Sequence, residues 1–163
     1  MALEYNNQLN QKHQRVVDAF SRIGGFSDAQ IAPCEPSPKS LAYRNKIQLP
    51  VDKNLRIGLY AKRSHTLVPI EQCLIHCPLG ERLFQACKEK LLKTSLKGFC
   101  EEENRGDLRF LVIKSAVHRN EALVIFVTTG KQSSVFKQLA QELVEEFEEI
   151  KGVIEHVNSK PGN

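Results

Sequence analysis

The sequence predicts an α+β fold, a mainly antiparallel sheet flanked by about three helices, and three observations carry that prediction. Apolar residues recur at helical spacing over 5–23, 78–91 and 133–149. Apolar and β-branched residues alternate or cluster over 42–51, 55–61, 108–117 and 121–129. The order is helix, strands, helix, hairpin, helix, strand, which segregates the two kinds of element.

In the first helix Leu9, Val16, Phe20 and Ile23 share a face, and Gly24-Gly25 supplies the stop. Residues 26–40 read as a loop punctuated by Pro33, Pro36 and Pro38. Residues 42–51 (AYRNKIQLPV) put Tyr43, Asn45, Ile47 and Leu49 on one face and Arg44, Lys46 and Gln48 on the other. Residues 55–61 (LRIGLYA) set Leu55, Ile57 and Leu59 against Arg56 and Tyr60, with Asp52-Lys53-Asn54 as the intervening turn. Antiparallel pairing of these two strands would place Arg44, Lys46, Arg56 and Tyr60 on one sheet face. Residues 66–71 (TLVPIE) suit a short edge strand because of Pro69.

Pro78 fits the first turn of a helix, Leu79, Leu83, Cys87 and Leu91 follow at spacing four, and Gly98 ends it. Residues 108–117 and 121–129 form a hairpin around His118-Arg119-Asn120. The last helix turns Val135, Leu139, Leu143, Val144 and Phe147 inward, and GVIEHVN makes a final strand. There is no internal repeat and no low-complexity tract.

The chain has 163 residues, 41% hydrophobic and 26% charged, which suits a globular chain of one domain or slightly more. It lacks an apolar run near the roughly 18 residues a membrane span needs. Its N-terminus lacks the basic-then-apolar layout of a signal peptide, so a cytoplasmic protein is expected. Five cysteines, an odd number, argue against a disulfide framework.

The net charge of +4 is modest, but its distribution is uneven. Between residues 39 and 65 stand Lys39, Arg44, Lys46, Lys53, Arg56, Lys62 and Arg63, opposed only by Asp52. Residues 101–103 and 141–150 are acidic. A basic face of this kind points to an anionic partner docking on one side, or to a solvated surface whose charges cluster.

Chemistry-bearing constellations are few. Cys73, His76 and Cys77 are metal-ligating types at close spacing, yet a closed zinc site needs four ligands and no second close pair exists. Buried thiols are the simpler reading. Ser64 and His65 are adjacent, and neighbouring strand residues face opposite ways, so they are no catalytic dyad. No glycine-rich loop joins a strand to a helix, and no nucleophile stands near a plausible base. The residues read as a binding domain without a catalytic engine.

The ordered set LEYNNQLNQKHQRV, YRNKIQLPV, IGLYAKRSH, VPIEQC and LRFLVIKSAV resembles the RNA uracil-5-methyltransferase family, from about Leu3 to Asn163. The nearest likeness is to enzymes that methylate uracil in large-subunit (23S) ribosomal RNA. The resemblance implies a modular protein: an optional N-terminal RNA-binding (TRAM) barrel, a central domain carrying a 4Fe-4S cluster, and a C-terminal domain that binds S-adenosylmethionine. This chain looks like the central domain alone. Residues 1–25 would be the helix following the cluster-cysteine segment. Residues 26–157 would be the RNA-binding domain, and 158–163 the start of the lead-in to the methyltransferase domain.

Cys73 matches the family's fourth cluster ligand, with the other three expected upstream. One thiolate cannot hold such a cluster, so no cofactor is expected in this chain itself. In the family mechanism a cysteine thiolate adds to carbon 6 of uracil, carbon 5 takes the methyl group, and a base removes the carbon-5 proton. The nucleophile's motif lies far downstream, Pro33-Cys34 reads as a chance dipeptide, and no catalytic residue is assigned here. The chain alone is expected to be inactive, monomeric, away from membranes and bound to ribosomal RNA, with the methyltransferase domain normally in the same polypeptide.

The expected RNA contacts are Arg44, Lys46, Arg56, Lys62, Arg63 and His65, with Tyr43 or Tyr60 stacking on an unpaired base. YRNK also admits a folding role, with Tyr43 in the core and Asn45 bonding a turn. Two other functions stay open: a stand-alone RNA-binding module that has lost its catalytic half, and a metal-binding or interaction protein using Cys73, His76 and Cys77.

Overall fold

A computed structural model describes residues 3–160 and divides the chain into two compact units, Met1–Ser40 and Leu41–Asn163. Residues 161–163 of the expected lead-in lie outside the described residues.

The first unit holds α1 (Tyr5–Asp18), which continues into a five-residue π-helical turn, Ala19–Ile23. Gly24 caps it and Gly25 takes φ +72°, as the glycine pair predicts. The Tyr5 hydroxyl accepts the Ser37 amide proton at 2.7 Å, and the His13 ring meets the Ala32 carbonyl at 3.1 Å. No α1 residue is buried, and Val16, Phe20 and Ile23, expected on a core face, are exposed.

The second unit is built on a four-stranded sheet in the order β1 (Lys46–Pro50), β4 (Leu108–Ala116), β5 (Glu121–Thr128), β6 (Ile150–Val157). A small separate sheet pairs β2 (Gly58–Tyr60) with β3 (Leu67–Pro69). The pairings β1–β4 and β4–β5 are antiparallel, and β5–β6 is parallel. The parallel pair requires a crossover, supplied by α3 (Ser133–Glu146). The β4–β5 hairpin turns through Asn120 at φ +53°, a conformation asparagine tolerates.

One sheet face and the helices α2 (Pro78–Leu92) and α3 enclose the core. Ile47, Leu49, Leu111, Ile113, Val124 and Phe126 come from the strands, and Leu83, Phe84, Leu91, Phe136, Leu139 and Leu143 from the helices. Alternation decides this set, since residues two apart on a strand share a face. Burying each such side chain stabilises the fold by about 1.5–3 kcal/mol before the entropy cost of ordering.

The α+β class stands, and four details differ from the sequence reading. Segments 42–51 and 55–61 do not form one meander: β1 pairs along β4, and it meets the next segment only at the Val51–Ile57 bridge. Leu55 sits at φ +58° in the turn, and Leu59, in the small separate sheet, is exposed. α2 stops at Leu92, where Thr94 Oγ1 donates to the Leu91 carbonyl, well before Gly98. Val144 is exposed beside a fully buried Leu143, at the edge of the helix's apolar stripe. Leu143→Ala is therefore expected to cost about 2–5 kcal/mol and Val144→Ala no more than about 0.5 kcal/mol in urea unfolding. Equal costs would place both residues in the core.

Candidate nucleic-acid interface

The YRNK segment is spliced between two neighbours by its backbone. The Arg44 amide donates to the Ile75 carbonyl at 2.8 Å, and the Arg44 carbonyl accepts from the Cys77 amide at 2.9 Å. On the other side the Asn45 carbonyl accepts from the Ser115 amide at 2.8 Å. The backbone being spent in this way, the side chains of Tyr43, Arg44 and Lys46 are exposed. Tyr43 is 53% exposed, so the reading that buries it in the core is incorrect.

Register then doubles the charge. Lys46 stands opposite Lys114, while their neighbours Ile47 and Ile113 pair on the core side. Two like charges directly opposite are unfavourable on their own. Their placement on a rigid sheet, beside Arg44, creates a positive strip. Lys114 has no counterpart in the sequence reading, because its alignment with Lys46 is a matter of long-range register.

Arg56 lies elsewhere, around the turn. Asp52 Oδ1 accepts from the amides of Asn54 (2.9 Å) and Arg56 (3.0 Å), and Asp52 Oδ2 accepts from Arg56 Nε at 2.7 Å. Asp52 thus shapes the turn and offsets much of the Arg56 charge. Arg56 and Tyr60 do not share the sheet face of Arg44 and Lys46. Lys62 and Arg63 are exposed at the tip of the β2–β3 hairpin, with Arg63 at φ +58°.

Beside that hairpin lies a cleft of about 280 Å³, walled by Asp52, Arg56, Tyr60, His65, Phe99 and Glu101. His65 Nδ1 is 3.2 Å from Glu101 Oε2, and the His65 and Tyr60 rings stand 5.7 Å apart at 57°. Two glycines set the far wall. A Cβ on Gly98 would lie 1.6 Å from the Asp52 carbonyl oxygen, so the 98–100 segment approaches the turn as only glycine permits. Gly106 (φ +130°) closes the acidic loop that presents Glu101. Phe99 is backed by the Arg109 guanidinium 4.3 Å from its ring centroid, and Arg109 Nη1 donates to the carbonyls of Asn158 and Lys160. Phe99 and Glu101 were missed because their segment reads as a solvated acidic run.

Cys73, His76 and Cys77 do not converge on a metal. His76 is buried, 2.7 Å from Glu81 Oε2, with its ring edge-on to Phe84. Cys77 is a buried N-cap of α2, with Pro78 at the first helical position. Cys73 is half-buried at the head of that turn, where its carbonyl accepts from the His76 amide. Among the described residues no group of three or more His, Cys, Asp or Glu is arranged to hold a metal ion. Burial pushes the Cys87 thiol up to about 12, consistent with an inert core thiol. No helix among the described residues is long and apolar enough to cross a membrane.

No family model matches the sequence. Uncharacterized RNA methyltransferases from Lactococcus lactis, Streptococcus mutans and Clostridium tetani are 34%, 32% and 30% identical over 99% of the chain. The chain spans only 35–36% of their length. A crystal structure of the Pyrococcus abyssi tRNA (uracil-54, C5)-methyltransferase in complex with S-adenosyl-L-homocysteine matches 99% of this chain and 36% of its own, with a TM-score of 0.73 and 23% identity. At that identity the likeness speaks to the fold. The chain is similar to these RNA methyltransferases along nearly its whole length and spans about a third of theirs.

The cleft makes a spectroscopic prediction. Burial, and secondarily the Glu101 carboxylate, raises the Tyr60 phenol above its ordinary value of about 10, while Arg109 opposes them. A raised folded value means that stability linked to Tyr60 is fully present below the unfolded value and fades as pH rises through the folded one. The ultraviolet difference titration of the wild type against Tyr60→Phe should show this phenol ionising late, and Glu101→Gln should remove only the smaller part of the delay. An ordinary titration would contradict the cleft geometry.

Proposed function

We propose that this chain is the RNA-holding central part of an S-adenosylmethionine-dependent methyltransferase that methylates carbon 5 of uracil in ribosomal RNA. On this reading the domain plan is a helix over 1–25, an RNA-binding domain over 26–157 and a lead-in over 158–163. The full protein works as a cytoplasmic monomer, and methyl transfer belongs to parts other than the residues described. Cys73 would ligate a 4Fe-4S cluster only together with thiolates from outside the described residues, and no step here depends on it.

One observation carries the reading: the sheet of a chain similar to RNA methyltransferases presents Lys46 opposite Lys114, beside exposed Arg44. Extruding a base from folded RNA costs a few kcal/mol, so binding energy must come from contacts elsewhere on the RNA. Cations on a rigid sheet supply it by neutralising phosphates and releasing counterions. The positively charged tip at Lys62 and Arg63 extends the same role, and Tyr43 offers an exposed ring for stacking.

The test is the salt dependence of RNA binding by the chain. Lys46→Glu, Lys114→Glu and Arg44→Glu should each weaken binding and flatten the slope of log affinity against log salt by about one. Lys137→Glu, exposed on α3 on the other side of the sheet, should leave the slope unchanged. Equal effects from all four would reduce the strip to bulk charge.

A further inference from the structure

We propose that the cleft between the β2–β3 hairpin and the 99–105 loop is a receptor for one unpaired guanine of the bound RNA. The inference rests on the RNA-holding reading and deepens it. Three properties of the cleft lead there.

Size comes first. At about 280 Å³ the cleft falls just below the roughly 300–1,000 Å³ of pockets for drug-sized ligands, and suits a group as small as a nucleobase. Charge comes second. Arg56 is engaged by Asp52, and the carboxylates of Asp52, Glu101 and Glu102 outnumber the cations Lys53 and Arg56 along the lining, so the cleft does not favour a phosphate. Lys53 is part of the lining, and two further exposed cations stand outside it, at Lys62 and Arg63 on the hairpin tip. A nucleotide would therefore enter base first, its phosphates left towards the cations. Surface chemistry comes third. Buried Phe99 makes an apolar wall, and Tyr60, 37% exposed, offers a ring face for stacking.

The Glu101 carboxylate decides which base. An ionised carboxylate only accepts, through two oxygens. The Watson–Crick edge of guanine presents two adjacent donors, N1–H and N2–H, which match that pair. Uracil offers one N–H between two carbonyls, and the carboxylate would repel both. Cytosine and adenine each put an acceptor nitrogen beside their amino group. The cleft is thus a specificity site separate from any pocket for a target uracil. His65, paired with Glu101, holds the carboxylate in place and yields one of its oxygens when the base arrives.

The experiment measures binding of the 163-residue chain to a fluorescent undecamer of uridine and to the same undecamer with one central guanosine. The expected result is tighter binding of the guanosine RNA. Tyr60→Ala should lower that affinity by about fivefold to a hundredfold, and Tyr60→Phe should restore most of it. Glu101→Gln should erase the guanosine preference while binding all-uridine RNA at least as well, since it removes a negative charge. A Glu101→Gln variant that strengthens both RNAs equally would mean that the carboxylate only repels, and would overturn the proposal. So would salt-sensitive binding with no guanosine preference in the wild type, which leaves the RNA-holding reading intact. Binding of neither RNA, nor of a folded RNA hairpin, would remove both.

Discussion

The register of β1 against β4 is the constraint on which the rest of the structure depends. Pairing Ile47 with Ile113 and Leu49 with Leu111 sends those four side chains to the helices. The same register sends Lys46 and Lys114 the other way. A slip by one residue would exchange the faces, burying two ammonium groups and exposing the core, so the apolar face fixes the register firmly. The charged strip is therefore a by-product of core packing, held as rigidly as the core itself. Repulsion between its lysines is offset by burial of the aliphatic pairs behind them.

A second level of order depends on close backbone approach. Gly98 lets the 98–100 segment pass over the Asp52 carbonyl, and Asp52 in turn shapes the turn that carries Arg56. Tyr60, His65, Phe99 and Glu101 meet because these short elements meet. Their charges differ from those of the strip. The strip suits phosphates, whereas the cleft, with Glu101 and Asp52 inside it, suits the edge and face of a base. An RNA-binding surface needs both kinds of contact, because phosphates position and bases specify.

Much of the fold could be read from the sequence. Pro78 marked the start of α2, the β-branched run marked β4 and β5, and Gly24-Gly25 marked the end of the first helix. These are local signals, and local physics decides them. The meander at 42–61 was misread because strand pairing is not local: Lys46 finds its partner at Lys114, not in the nearby 55–61 segment. Val144 was misread because period alone does not say where an apolar stripe ends. The exposure of Arg44 and Lys46 was legible from alternation and charge. The capture of Arg56 by Asp52 and the placement of Glu101 beside His65 depend on turn geometry that composition does not reveal.

The central claim is that RNA lies across the β1–β4 strip and the adjoining hairpin, with the helical layer facing away. Amide hydrogen exchange on the chain, with and without a folded ribosomal RNA fragment, tests it most directly. The account predicts slower exchange on RNA addition at 44–48, 53–66 and 112–116, with α2 and α3 unchanged. Protection concentrated on α2 and α3, with those three segments unaffected, would contradict it.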